Sequence, residues 1–185
     1  MNAARPAEAD AVLHFWFEEL TPEDWFRKNP SVDRRIAERF GSTLAAAAQC
    51  KLFHWRGSAR GRLAEVLVLD QFSRNIHRDT PAAFANDTLA LALAQEAVAH
   101  GCDLELPVPQ RVFLYLPWMH SESALLHEQA LQLFATPGME KNLEFERRHK
   151  AIIDRFGRYP HRNAALGRTS TPEEIEFLGQ PGSAF

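Results

Sequence analysis

The stretch SARGRLAEVLVLDQFSRNIHR, residues 58–78, decides the fold class. Ser58 is a residue type that accepts the free N–H groups at a helix start, and the apolar residues after it recur at helical spacing. At about 100° per residue, Leu63, Val66, Leu67, Asp70, Arg74 and His77 share one side, while Val68, Leu69, Phe72 and Ile76 take the other. A helix apolar on two sides is a buried one. The spacing therefore predicts an enclosed helix in which Asp70 and Arg74, four residues apart, pair with each other, with Asn75 and Arg78 at the C-terminal end. Charges in such a place either tie helices together or serve a site.

The same period continues in both directions. Val32, Ile36, Phe40 and Leu44 step by four after Asn29-Pro30-Ser31 and run into an Ala tract, Ala45 to Ala48. Asn86-Asp87 opens an Ala- and Leu-rich helix that Gly101 closes. After Pro107 and Pro109 an aromatic piece (Phe113, Tyr115, Trp118) leads into a helix from Ala124 to Phe134, stopped by Pro137-Gly138. A further helix spans about Lys141 to Phe156 and ends at Gly157. Thr171-Pro172-Glu173-Glu174 carries a capping Thr, a Pro at the first helical position and a Glu three residues after the cap, and Thr21-Pro22-Glu23-Asp24 repeats that logic. With β-branched residues sparse and no hairpin signal, the expected fold is all-α, a single domain over residues 1–185.

Composition narrows the function classes. The chain has 185 residues, 45% of them apolar, and 21 basic against 24 acidic side chains. This is enough for one hydrophobic core and excludes a disordered chain. A formal charge of −3 gives no global attraction to nucleic acid or to an anionic membrane. Val112 to Met119 is far too short to span a bilayer, and Val12 to Phe17 lacks the form of a signal peptide. Cys50 and Cys102 read as small core residues in a reducing compartment. The expectation is a cytoplasmic protein without nucleic-acid or membrane partners.

Two further polar clusters interrupt apolar helix faces. In Pro117-Trp118-Met119-His120-Ser121-Glu122, regular helical spacing puts His120 with Ala124, His127, Leu131 and Phe134, and points Glu122 elsewhere, so no metal site is assigned there. The plain alternative is a capping Ser121 beside a hydrogen-bonded His120. The densest cluster is His149, Arg155, Arg158, His161, Arg162, Asn163 and Arg168. On the preceding helix His149 is expected to face inward with Phe145, Ile152 and Phe156. Gly157 releases the chain, and Tyr159-Pro160 extends it toward His161-Arg162-Asn163, a turn able to present three polar side chains to a cleft. Arg groups suit carboxylate or phosphate, for which the guanidinium is a planar fork of donors. A phosphate at Thr171 is disfavoured because Glu173 and Glu174 already complement that helix start.

At these clusters the chain resembles a largely bacterial family known as domain of unknown function family 924. The stretches that carry the resemblance are Leu69-Asp70-Gln71-Phe72 with Arg74-Asn75 and Arg78; Phe84-Ala85 with Asp87; Leu116-Pro117 with Met119-His120-Ser121-Glu122; Arg155-Phe156-Gly157-Arg158; Pro160-His161-Arg162-Asn163; and Leu166-Gly167-Arg168 with Ser170-Thr171-Glu173-Glu174. Ser73 stands where the family has Pro. The resemblance implies an all-helical fold similar to tetratricopeptide repeats, as a helical-hairpin array or bundle, and names no reaction, cofactor or catalytic residue.

Two functions follow as expectations. In one, Arg74, Asn75, Arg78, His120, Ser121, Glu122, Arg158, His161, Arg162 and Asn163 line a pocket for a small anionic ligand, in a sensor or an enzyme. In the other, the helices are a scaffold whose groove, with Trp25, Trp55 or Trp118, binds a peptide or protein without catalysis.

Overall fold

The computed structural model describes residues 7–183, and every regular element among them is helical. The α-helices are α1 (Ala9–His14), α2 (Pro22–Phe26), α3 (Pro30–Ala47), α4 (Ala59–Leu67), α5 (Ser73–Ile76), α6 (Asp87–Ala99), α7 (Val108–Met119), α8 (Ala124–Phe134), α9 (Glu140–Phe156) and α10 (Pro172–Leu178). Contacts divide the chain into two compact units, Met1–Arg78 with Ala82–Pro117, and Asp79–Pro81 with Trp118–Phe185.

The expected helix starts are in place. Ser58 accepts from the Gly61 N–H, Asn29 accepts from Ser31, and both Thr-Pro-Glu segments close capping boxes, Thr21 with Asp24 and Thr171 with Glu174. Left-handed Gly101 and Gly157 follow α6 and α9, where a side chain would be strained.

The enclosed helix of residues 58–78 is not continuous. A π-helical turn, Val68–Phe72, separates α4 from α5, and a second one, Phe15–Glu19, follows α1. The wider turn rotates the chain relative to a regular helix, so the 100° faces drawn through Asp70 shift from there onward. The two π-turns meet in the core of the first unit: Phe15 packs on Phe40 and Phe72, and Trp16 on Phe72 and Phe113. Val68 to Phe72 are all buried, Asp70 and Gln71 included.

Other expectations need correction. Pro107 and Pro109 do not break the chain after α6 so much as start α7, which carries Pro109 in its first turn and Pro117 inside. His120 lies beyond α7 and before α8, off the α8 face assigned to it. Phe145 is 48% exposed rather than inward, while His149 and Ile152 on the same helix are buried. Cys50 is exposed in the turn after α3, at φ 55°, Cys102 is half-buried, and both are free thiols. Trp55 and Trp118 are buried; Trp25 is half-buried.

In the second unit α8 and α9 form a closely packed hairpin joined by residues 135–139. Ile152, Ile153 and Tyr159 are its buried centre, with Phe156 and Phe177 packed against them.

Two glycines give opposite expectations. A Cβ on Gly61 would lie 1.9 Å from the Trp55 carbonyl oxygen, whereas one on Gly41, inside α3, meets nothing within 4 Å. Gly41→Ala should stabilise the protein by about 0.5–1 kcal/mol through helix propensity. Gly61→Ala should destabilise it despite the same propensity gain, as read by urea unfolding of both variants.

Candidate functional site

The polar residues picked out by sequence fall into the two units. Arg74, Asn75 and Arg78 lie in the first; His120, Ser121, Glu122, Arg158, His161, Arg162 and Asn163 lie in the second.

In the first unit the guanidiniums of Arg74 and Arg78 meet carboxylates of this chain. Arg74 Nη1 lies 3.0 Å from Asp70 Oδ1, as the four-residue spacing predicts, and the fork closes on Asp87 at 2.8 and 2.9 Å. Asp70 also accepts from Gln71, its neighbour in the π-turn. Arg78 grips Asp33 of α3 with Nε and Nη2 at 2.9 and 2.8 Å, and Asn75 donates to the same carboxylate at 2.8 Å. Burial pulls the Asp33 carboxyl up, but the bonds from Arg78 and Asn75 outweigh it and hold it below the usual carboxylate range. Ser73 receives a bond from Asn86 at 3.0 Å and so adds a link between α5 and the start of α6.

In the second unit the segment after α7 and the turn after α9 come together. Arg168 holds Glu122 in a two-pronged contact at 2.7 and 2.9 Å, and the Tyr159 N–H donates to Glu122 at 2.7 Å. Burial raises the Glu122 carboxyl; the Arg168 bonds, that N–H and the charges of Arg168 and Arg162 lower it further than burial lifts it. Arg162 donates to the His120 carbonyl at 2.9 Å and lies 4.6 Å over the Tyr159 ring. Arg158 grips Glu174 at 2.6 and 2.8 Å, and Asn163 donates to Glu174 and Ser170. Bonds from Arg158 lead the causes that bring the Glu174 carboxyl down to about 2.

The turn expected to aim His161, Arg162 and Asn163 into a cleft does otherwise. Arg162 and Asn163 are buried and spent on the chain itself, because the 3₁₀ turn Pro160–Arg162 folds back under Tyr159; only His161 is half-exposed. Ser121 does not cap α8 through its side chain; its carbonyl accepts from His127 Nε2 at 2.9 Å.

Sequence reasoning names Asp87, Arg168, Glu174, His127 and Tyr159 without pairing them, and passes over Asp33 and Glu146 altogether. His127 was visible as a polar residue on an apolar face; Glu146 carried no such mark. Among the described residues no group of three or more His, Cys, Asp or Glu is arranged to hold a metal ion.

Against known proteins, residues 12–182 match the family described as bacterial protein of unknown function (DUF924). The chain belongs to that family. It is also similar to a solved structure, the protein of unknown function ATU0120 from Agrobacterium tumefaciens, at 38% identity and a TM-score of 0.88, over 92% of this chain and 96% of that one. No curated protein matches it. For this DUF924 member, no described helix is long and apolar enough to cross a membrane.

The Glu174 contact sets an acid limit. Its folded carboxyl titrates at about 2, below its ordinary 4.5, so the unfolded chain binds the extra proton and the contribution, complete above pH 4.5, is lost as pH falls toward 2. Arg158→Ala should lower the urea midpoint near neutral pH and then show a shallower further decline below pH 4.5 than the parent. Parallel declines would contradict this assignment.

Proposed function

We propose that this protein is a helical scaffold that binds a peptide segment of a protein partner and performs no chemistry at its Arg and His clusters. The observation that carries this reading is the occupancy of the guanidiniums: Arg74, Arg78, Arg158 and Arg168 each close on a carboxylate of the chain, at 3.0 Å or less. An incoming phosphate or carboxylate would have to break a paired contact and leave a half-buried acid behind, a cost it cannot recover from the same fork. Of the residues expected to line a pocket, Arg74, Asn75, Arg78, Glu122, Arg158, Arg162 and Asn163 thus act as joints between segments.

A place for the partner lies in the first unit. Phe26 ends α2 with 65% of its surface exposed, backed by Trp25 and stacked on buried Phe113. Next to it Arg27 makes only an outlying contact of 3.5 Å with Glu23, both of them well exposed, and such a pair exchanges partners at little cost. That arrangement suits a segment with an apolar anchor beside an acidic residue. The family match through both units supports reading the chain as one domain, and the α8–α9 hairpin supports the likeness to tetratricopeptide repeats. The two free thiols are in keeping with the cytoplasm.

Two assays decide between scaffold and anion pocket. Phosphate, nucleotides and small carboxylates should leave the melting temperature unchanged, since a ligand bound at 100 times its Kd would add about 2.7 kcal/mol. Peptides selected from a random display library should share an apolar residue next to Asp or Glu and lose binding in Phe26→Ala, with its melting temperature unchanged. A concentration-dependent anion shift abolished in Arg78→Lys, with no peptide enriched, would overturn the scaffold.

A further inference from the structure

The second unit encloses a group of ionisable side chains that the joints described above do not use. His127 of α8 and Glu146 of α9 are both fully buried, with Nδ1 and Oε1 2.6 Å apart. The other ring nitrogen, Nε2, faces the Ser121 carbonyl at 2.9 Å. A carbonyl only accepts, so Nε2 carries a hydrogen. Tyr159 donates its hydroxyl hydrogen to the Met119 carbonyl, which leaves its oxygen as a second acceptor 3.3 Å from Nε2. A lone pair on Nδ1 cannot face an ionised oxygen at 2.6 Å without a proton between them. Glu146 Oε2, meanwhile, meets no hydrogen-bond donor among the described residues, a poor setting for a full carboxylate charge.

His149, one turn along α9 from Glu146, is buried too, and its Nδ1–H is spent on the Phe145 carbonyl at 2.8 Å. Its ring packs edge-on against Tyr159 at 5.8 Å, while His161 lies against the same tyrosine at 5.4 Å. The charged and titratable groups around this centre are His120 and Glu122 from the segment before α8, Lys150 from α9, His161 and Arg162 from the turn after it, and Arg168, which is held by Glu122. Burial first, and then His120, His127 and His161, oppose a positive charge on His149.

We propose that this core is a proton lock: the native fold holds one proton between Glu146 and His127 and excludes any from His149, so that the trio's contribution to stability is greatest near pH 6.5 and falls on both sides. The inference is independent of the peptide-binding reading. Burial, the largest influence on both groups, acts in the required directions, raising the Glu146 carboxyl and lowering His149 to about 3.

The proton count fixes the signs. Across this trio the native state binds one proton. Unfolded, with ordinary values of 4.5 for Glu and 6.5 for His, it binds none above pH 6.5 and two between 4.5 and 6.5. Stability rises with pH where the unfolded state binds more protons and falls where it binds fewer, tenfold in the folding equilibrium per pH unit per proton. The trio's share therefore falls about tenfold per unit on either side of pH 6.5.

Equilibrium urea unfolding of the full chain, from about pH 4.5 to 8.5, tests this through variants. Glu146→Gln keeps the shape and a donor to Nδ1 but removes the titrating proton. It should abolish the trio's alkaline decline and steepen the acid decline by one further tenfold per unit. His149→Phe should remove the acid decline and leave the alkaline one. A Glu146→Gln variant that keeps the parental alkaline decline, or a His149→Phe variant that keeps the acid one, overturns the proposal. Should either variant not fold, proton NMR of the parent decides: an exchange-protected imidazole resonance, downfield and unchanged across pH 6.5, is expected, and titration of the buried histidines at the ordinary 6.5 overturns it.

Discussion

An arginine taken partly out of water keeps its charge, since no accessible pH removes it, and the surrounding chain has to supply a carboxylate in return. This requirement organises the polar half of the structure. At four such guanidiniums the acid comes from a different part of the chain: Asp33 of α3 for Arg78, Asp87 of α6 for Arg74, Glu122 before α8 for Arg168, Glu174 of α10 for Arg158. Each pair fixes the register of one element against another, because a two-pronged contact tolerates little sliding.

The same requirement explains the basic run between Lys141 and Arg168. Its surplus positive charge is met by acids outside the run, Glu122, Glu128, Glu173 and Glu174. Pairing of this kind serves specificity of packing more than net stability, since taking both ions from water costs about as much as their attraction returns. For the scaffold we propose, such fixed geometry would let one exposed aromatic, Phe26, stacked on Phe113, serve as the recognition surface.

Much of the fold was legible in sequence, for local reasons. Capping residues, the four-residue steps of α3 and the Asp70–Arg74 pair depend on neighbours within one or two turns, and the 100° rule handles them. That rule failed at Val68–Phe72, where a π-turn changes the angle per residue, and at Phe145, where an apolar residue on a helix flank stays in water. Of the candidate site, the sequence marked where the cations were and could not say what they faced. The partners of Arg78, Arg158 and Arg168 lie 45, 16 and 46 residues away, and Glu146 looks like any surface acid until α8 is laid against α9. Long-range pairing is a property of the tertiary fold, and single-chain periodicity carries no trace of it.

The central claim is that these arginines are joints, and the contact between Arg168 and Glu122 is its most exposed point, because both side chains retain about a quarter of their surface and could have served a ligand instead. The decisive measurement is a double-mutant cycle, with Arg168→Ala, Glu122→Ala and the double variant compared by urea unfolding in anion-free buffer. The account predicts a coupling energy of about 1–3 kcal/mol, with each single change destabilising the fold by more than the average surface substitution. Additive effects with no coupling, and an unperturbed fold in Arg168→Ala, would contradict it.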